Sequence, residues 1–392
     1  MKRKFDSSQD LLQAMVSFDT VNSHISGKAD AELELSIFLE SYAQNLGFTT
    51  RRLPVTANGF NLLVSHQVSD QAPWLLFESH LDTVSVAGMT IDPFAGEIRQ
   101  ERLYGRGACD TKASGTAMLQ ALKRYSFTPD PANNVAILYT LDEEVSKIGI
   151  TTFVDNNLPF LGWTPAGVIV GEPTQSRLVV AHNGAVRWRI RTRGIAAHSS
   201  LPSRGRSAIS MMVQVVQAVE TNYIPNLGAT CPLTGEAQCS INLIQGGSQI
   251  NIIPESCEIQ IDRRVVPGED QEQVLSAVEP VLDRLRSADP EMIVEQVAPD
   301  VSCAPLSPDQ DPRFVAFIQQ TLNRLGLPHQ PVGAGYGTDA SSFNGTGIPV
   351  VVMGPGDVAQ AHTHDEWIDL QQLAQGEEVY FSLMSSTGLT TN

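Results

Sequence analysis

The sequence of 392 residues has no apolar run approaching the roughly 20 residues that a membrane-spanning helix needs. Its N-terminus, MKRKF, is basic, but charged residues follow where a signal peptide has an uninterrupted apolar segment. The five cysteines are scattered and include no CxxC pair, which disfavours both a disulfide framework and a thiolate zinc site. We therefore expect a cytoplasmic protein with free thiols.

Positive charge is also scarce, because 26 lysines and arginines stand against 43 aspartates and glutamates and give a formal net charge of −17. Such a protein repels phosphate backbones and anionic lipids, so neither nucleic acid nor a membrane is an expected partner. The sequence also lacks a GxGxxG motif opening a strand–helix unit and a GxxxxGK[ST] loop. Oxidoreductase and phosphotransferase functions therefore have no support.

Apolar strand patterns alternate with helical patterns in the first part of the chain. The sequence predicts strands at residues 72–80, 134–141 and 166–172, with a helix between the first two. This alternation predicts an α/β fold in which helices cover a mixed sheet and ligands bind at the carboxyl ends of the strands. A helix, a strand and a closing helix near the C-terminus resume the same pattern.

A different pattern begins near residue 180. The stretch VRWRIRTRG alternates strictly, with Trp188 and Ile190 on one face and Arg187 and Arg189 on the other. One-sided strands and two helical patterns follow, which together predict an antiparallel α+β layer. We therefore predict a catalytic domain formed by residues 1–180 and 299–392, and an inserted dimerisation or lid domain formed by residues 181–298.

Residues that can bind a metal or move a proton stand at or after the ends of four apolar strands, and one more stands in a glycine-rich turn just before a helix. They are His80 and Asp82, Asp110 in RLYGRGACDTKAS, Glu143 and Glu144 in LYTLDEEVS, Glu172 in VIVGEPT, and His362 and His364 in GPGDVAQAHTHDEW. Each alone could be a helix cap, a solvated turn or a loop charge. Four strands that all end in carboxylates or imidazoles predict instead that these groups converge at one edge of the sheet.

Imidazole and carboxylate ligands suit Zn²⁺ or a similar divalent ion. The number of candidate ligands exceeds what one tetrahedral ion needs, so a dinuclear centre with one bridging carboxylate is the simplest arrangement. Bound cations would also neutralise carboxylates that are costly to cluster.

The ordered motifs SHLDTV, GRGACDTKAS, DEEVS, GEPT, AHSS and AHTHDEW resemble those of the zinc-dependent aminoacylase and carboxypeptidase family, which has dinuclear metal centres. Within this family the motifs are most similar to those of acetylornithine deacetylases. The resemblance implies two divalent ions, Zn²⁺ or alternatively Co²⁺ or Mn²⁺, and a role for each candidate. His80 and Glu172 would bind one ion, Glu144 and His362 the other, Asp110 would bridge both, Asp82 would orient His80, and Glu143 would be the general base. His364 remains an alternative to His362.

The resemblance also implies a mechanism and a homodimer. The ions would activate a water, and Glu143 would move its proton to the leaving nitrogen of an amide. His198 in GIAAHSS would stabilise the oxyanion in the active site of the neighbouring subunit. A capping role for His198 beside Ser199 and Ser200 is the structural alternative.

Substrates of the family carry a free carboxylate, and Asn251, Arg264 and Thr338 match the positions that bind it. Arg263 is the adjacent alternative, but on a strand it points to the opposite face from Arg264. The expected activity is hydrolysis of an N-acyl amino acid. Succinyl-diaminopimelate desuccinylase, a metallo-carboxypeptidase or dipeptidase, and a non-catalytic binding protein on the same fold are the alternatives.

Overall fold

The computed structural model describes residues 5–389 and contains two compact units. The first unit comprises the chain up to Val180, Asp309–Val332 and the chain from Thr338 onward. The second comprises Ala181–Pro308 and Gly333–Gly337.

The largest sheet has eight strands and mixed directions, which confirms the predicted α/β class. Across the sheet the strands are Thr49–Pro54, Phe60–His66, Asn134–Thr140, Trp74–His80, Pro165–Val170, Val350–Val352, Val179–His182 and Val332–Ala334. The central strands are buried on both faces and are mostly apolar, as expected for strands beneath helices.

Four neighbouring strands of this sheet run parallel. Trp74–His80 pairs on one side with Asn134–Thr140 and on the other with Pro165–Val170, which in turn pairs with Val350–Val352. His80 lies directly beside Thr140 in this register. The segments that follow these strands therefore leave the same edge of the sheet, where the sequence places the candidate ligands.

Helices of the first unit pack around an apolar core that includes Leu75, Phe77 and Ile137 of the central strands. The helices are Ser8–Val16, Ser23–Ser26, Leu33–Asn45, Lys112–Tyr125, Ile148–Thr152, Pro312–Arg324 and Leu370–Ser385, with a π-helical turn at Phe153–Asn157. Short 3₁₀ turns occur along the whole chain at Leu158–Phe160, Pro202–Arg204, Ile224–Asn226, Gln271–Gln273, Asp339–Phe343 and Val358–Gln360. A small sheet of Glu97–Arg99, Arg102–Tyr104 and Trp367–Asp369 also belongs to the first unit.

The second unit has an antiparallel sheet of four strands and two helices. The strands, in order across the sheet, are Gln238–Gly246, Ser256–Val265, Gly184–Arg193 and Ile293–Cys303, and the helices are Ala208–Asn222 and Val274–Ala288. Two strand pairs complete it, Ala197–His198 with Ile252–Ile253 and Thr230–Cys231 with Gly235–Glu236. Trp188 and Ile190 are buried in its apolar core, as the alternation of the sequence predicts.

The second unit extends to Pro308 rather than to residue 298, because Ile293–Cys303 is one strand paired with Gly184–Arg193. A register shift between Val297 and Val301 interrupts the alternation of this strand, which hides it in the sequence. None of the helices in residues 5–389 combines the length and the hydropathy that a membrane crossing requires.

Candidate metal centre

His80 is the last residue of its strand and is buried, with its ring held in one orientation. Nδ1 lies 3.1 Å from the main-chain oxygen of Asp82 and 3.4 Å from Oδ1 of the same residue. A proton on Nδ1 can bond to the carbonyl, which leaves Nε2 unprotonated in the neutral ring. Nε2 lies 3.4 Å from Oδ1 of Asp110. The ring therefore presents a free nitrogen toward Asp110, the geometry that an imidazole ligand needs.

The Asp82 carboxylate also fixes the next ligand-bearing segment. Oδ1 accepts a hydrogen bond from the N–H of Glu143 at 2.9 Å, and Oδ2 accepts one from the N–H of Glu144 at 3.1 Å. Burial works to raise the pKa of Asp82, but hydrogen bonding to His80 and the charge of that ring hold the pKa below its ordinary value. Asp82 thus connects the segments that carry His80, Glu143 and Glu144.

The loop that carries Asp110 is held by a buried acid, Glu366. Oε1 of Glu366 accepts the N–H groups of Cys109 at 2.8 Å and Asp110 at 2.9 Å. Oε2 accepts the N–H of Gly107 at 3.0 Å and the Arg106 guanidinium at 2.8 Å. Glu366 was not predicted from its sequence context, although it stands four positions after His362.

Two groups of potential ligands share Asp110. His80, Asp110 and Glu172 form one group, and Asp110, Glu144 and His362 form the other, with all donor atoms of a group within 4.8 Å of one another. Nε2 of His362 lies 3.0 Å from Oε1 of Glu144 and 3.4 Å from Oδ2 of Asp110. These groups contain the five residues that the resemblance predicts as ligands. His364 is in neither group, and its ring packs against Gly88.

The charges of this cluster fit divalent cations. Burial and the charge of Asp110 raise the pKa of Glu172 well above its ordinary value, and burial raises the pKa of Glu144 to about 7. The pKa of His80 is raised by Asp110 and Asp82 although burial opposes this. Oδ1 of Asp110 is buried and, among the described residues, has no hydrogen-bond partner. Nitrogen and oxygen donors of this kind are ligands for Zn²⁺ and similar ions.

Glu143 belongs to neither ligand group, although it is next to Glu144 and is buried. Its carboxylate contacts the ammonium of Lys147, which also lies 3.5 Å from Oδ1 of the buried Asp339. Lys147 was not identified from the sequence, although its position four residues after Glu143 is a spacing at which side chains meet. Glu143 is thus a carboxylate beside the ligand groups that is not needed as a ligand.

In the second unit, His198 and Asn251 lie on paired segments. His198 pairs with Ile252, and the N–H of Ser199 donates to the Asn251 oxygen at 3.0 Å. The N–H of Ser200 donates to Nδ1 of His198 at 3.2 Å. Nδ1 also lies 2.7 Å from the hydroxyl oxygen of Ser200, which can donate to it. With Nδ1 as the acceptor of the N–H, the neutral ring carries its proton on Nε2. The exposed imidazole therefore offers an N–H donor.

Arg264 and Arg263 occupy opposite faces of strand Ser256–Val265. The Arg264 guanidinium is half-buried and pairs with Asp262, with Nε 2.8 Å from Oδ1. Arg263 is buried and pairs with Glu269. In the first unit, Thr338 is buried and its hydroxyl oxygen accepts the N–H of Ala340 at 3.1 Å, capping a 3₁₀ turn.

Comparison with known proteins identifies relatives of the whole chain. Residues 76–386 match the model of peptidase family M20/M25/M40. An acetylornithine deacetylase from Pectobacterium carotovorum subsp. carotovorum (strain PC1) is 30% identical over 97% of this chain and 97% of its own.

Solved structures share the fold at lower identity. A metallo-carboxypeptidase of the M20 family from Sulfolobus solfataricus has a TM-score of 0.79 at 15% identity, covering 97% of this chain and 99% of its own. A tripeptidase from Staphylococcus aureus has a TM-score of 0.76 at 20% identity, covering 96% of this chain and 97% of its own. The family match and the full-length relative confirm the resemblance of the motifs: the chain is a hydrolytic enzyme that belongs to peptidase family M20/M25/M40.

Proposed function

We propose that this hydrolase cleaves the amide bond of an N-acyl amino acid and depends on two divalent metal ions. The observation that carries the proposal is the pair of ligand groups that share Asp110, with Glu143 beside them. The full-length relative named acetylornithine deacetylase favours an N-acyl amino acid over a peptide as substrate.

In the proposed centre the two ligand groups each hold one ion. His80 and Glu172 would hold the first, Glu144 and His362 the second, and Asp110 would contact both. We propose Zn²⁺ as the native ion, with Co²⁺ or Mn²⁺ as substitutes. When bound, the ions would supply the Lewis acidity that makes a water nucleophilic near a pH of about 7.

Glu143 is the proposed general base. Its main-chain N–H is anchored to Asp82, so its carboxylate is held beside the ligand groups while remaining outside them. The carboxylate accepts a proton from the attacking water and returns it to the amide nitrogen as the C–N bond breaks. Lys147 contacts this carboxylate from the side of Asp339 and limits its rotation.

We propose that His198 donates its Nε2 proton as a hydrogen bond to the developing oxyanion in the active site of a second subunit. The hydrogen bond from Ser200 to Nδ1 supports this role, because it selects the tautomer with a proton on Nε2. The proposed homodimer forms through the second unit. Leu243 and Ile244 are 53% and 56% exposed on the edge strand Gln238–Gly246, where a second chain can add to the sheet.

Asn251, Arg264 and Thr338 are the proposed contacts for the substrate carboxylate. The pairing of Arg264 with Asp262 uses Nε and Nη2, so Nη1 remains for a carboxylate oxygen. Arg263 is less suited because both ends of its guanidinium bond inside the second unit, to Glu269 and to the Arg264 carbonyl.

The proposal is tested by hydrolysis assays on the purified protein after chelation and after addition of Zn²⁺ or Co²⁺. The substrates are N-acetylornithine, N-succinyl-diaminopimelate, other N-acyl amino acids and dipeptides. Metal-dependent turnover concentrated on an N-acyl amino acid supports the proposal. Turnover only of dipeptides would assign a peptidase, and no turnover by protein with two ions bound would refute the substrate class.

The cross-subunit role of His198 is tested by mixing two inactive variants. His198→Asn chains and Glu143→Gln chains are unfolded, mixed and refolded, and each is refolded alone as the control. A mixed dimer would contain one site with both residues intact, so activity should return only in the mixture. Equal activity of the mixture and the separate variants would contradict the cross-subunit arrangement.

A further inference from the structure

Asn22 is a fully buried residue that contacts the carboxylates of two segments of the proposed metal centre. Its Nδ2 group lies 2.8 Å from Oδ2 of Asp82 and 2.5 Å from Oδ1 of Asp142. Asp82 follows the strand that ends at His80, and Asp142 precedes Glu143. One amide group therefore joins the two strand-end segments.

The Asn22 side chain is itself fixed by main-chain contacts. The main-chain N–H of Asn22 donates to the main-chain oxygen of Thr83 at 2.9 Å, which anchors the residue to the segment after His80. Its Oδ1 accepts the N–H of His24 at 2.9 Å and caps the helix Ser23–Ser26. With the oxygen occupied in this way, the amide can only turn its two N–H groups toward Asp82 and Asp142.

Only a neutral group with two donors suits this position. Asp82 and Asp142 are both buried, and the two N–H groups between them reduce the repulsion of two carboxylates. Aspartate at this position would add a third carboxylate and remove both donors. Serine is shorter and has one hydroxyl donor, so it can satisfy only one of the two acids.

We infer that Asn22 is a positioning residue of the metal centre, acting through Asp82 and Asp142 on the segments that present His80, Glu143 and Glu144. The inference rests on the proposed dinuclear centre. Asp82 accepts the N–H groups of Glu143 and Glu144 and lies beside His80. A displacement of Asp82 would therefore move one potential ligand of each group, His80 and Glu144. Residues that orient ligands in this way typically change metal affinity by about 10-fold to 100-fold when they are replaced.

The test compares Asn22→Ser and Asn22→Asp with matched changes at Asn133. Asn133 is also buried, and its Nδ2 group also makes two hydrogen bonds, to the oxygens of Met384 at 2.8 Å and Ser386 at 2.7 Å. It lies just before the start of strand Asn134–Thr140, whereas Glu143 follows the end of this strand. Asn133→Ser and Asn133→Asp therefore remove a comparable buried amide without touching Asp82 or Asp142.

Metal-free full-length proteins are titrated with Co²⁺ against a competing chelator, and visible absorption of bound Co²⁺ reports the ligand geometry. We expect Asn22→Ser to weaken binding by about 10-fold and Asn22→Asp by about 100-fold, with altered spectra. The Asn133 variants should lower the melting temperature but keep Co²⁺ affinity within about threefold and the wild-type spectrum. If Asn22→Asp does not fold, Asn22→Ser provides the comparison.

Two results overturn the inference in distinguishable ways. If the wild type binds two ions and the Asn22 variants bind them with the same affinity and spectrum as the Asn133 variants, Asn22 has only a structural role. If the wild type fails to bind two ions, the proposed centre is wrong and the inference fails with it. Neither result depends on finding a substrate.

Discussion

The exchange Asp82→Asn keeps the size of a side chain whose two oxygens both accept hydrogen bonds. Asparagine has one oxygen, so its amide nitrogen must face donors at one of the two positions. With nitrogen at the Oδ2 position, the bonds from Glu144 at 3.1 Å and Asn22 at 2.8 Å are lost. With nitrogen at the Oδ1 position, the bond from Glu143 at 2.9 Å and the contact with His80 at 3.4 Å are lost.

Either orientation removes two interactions from a fully buried side chain. A buried donor that loses its partner costs about 1 to 3 kcal/mol. The second orientation leaves only the N–H of Glu143 without a partner, because Nδ1 of His80 keeps the Asp82 carbonyl at 3.1 Å, so the lower limit is about 1 kcal/mol. Because a factor of 10 corresponds to about 1.4 kcal/mol, this lower limit predicts a loss of at least about 5-fold in kcat/KM if the cost falls on the assembled site.

The assay is metal-saturated hydrolysis of the best substrate, with thermal unfolding measured on the same samples. Asp369→Asn is the control for the same exchange outside the site, because Oδ1 of Asp369 alone accepts the main-chain N–H groups of Gln371 at 2.8 Å and Gln372 at 3.3 Å, so asparagine can keep both bonds. The control should retain kcat/KM within about threefold, since asparagine can also cap a helix. An Asp82→Asn enzyme as active as this control would refute the argument that Asp82 aligns the centre.

Two further predictions concern acids outside the ligand groups. Glu143→Gln should lower kcat by at least about 100-fold while two ions remain bound, and metal analysis of the purified variant checks this. Glu32→Gln should stabilise the metal-free protein increasingly as the pH rises from 4.5 to about 7, reaching about 3 kcal/mol in urea unfolding. Burial and the charge of Asp82 raise the folded-state pKa of Glu32 from 4.5 to about 7, so stability is lost as the pH rises between these values. Glu34→Gln, an exposed change in the first turn of the helix that Glu32 precedes, should show no such trend.

The edge of the sheet that carries the candidate ligands could be predicted because its strands are short, apolar and local in sequence. His80 ends one such strand, and Glu144 and Glu172 follow two others. Parallel neighbours bring these ends together, and the structure shows the pairing along the register. A residue's position just after a strand therefore predicts that it lies at this edge of the sheet, without any knowledge of distant contacts.

The residues that hold the candidate ligands in place could not be predicted in this way, because their contacts span long stretches of chain. Asn22 reaches Asp82 across 60 positions and Asp142 across 120, and Glu366 reaches Asp110 across 256. No local period or turn pattern encodes such distances. The extent of the second unit was missed for a different reason, since the register shift in Ile293–Cys303 breaks the alternation that identifies a strand.

The use of main-chain N–H groups separates the acids of this site into two kinds. Both oxygens of Asp82 and both oxygens of Glu366 accept N–H groups, so these carboxylates hold segments of chain in place. Oδ1 of Asp110, in contrast, is buried without a hydrogen-bond partner among the described residues, and Asp110 belongs to both ligand groups. A buried oxygen without a donor is costly unless a cation or proton satisfies it. The allocation of N–H groups therefore distinguishes acids that position the site from acids that are available to a metal, although their sequence contexts look alike.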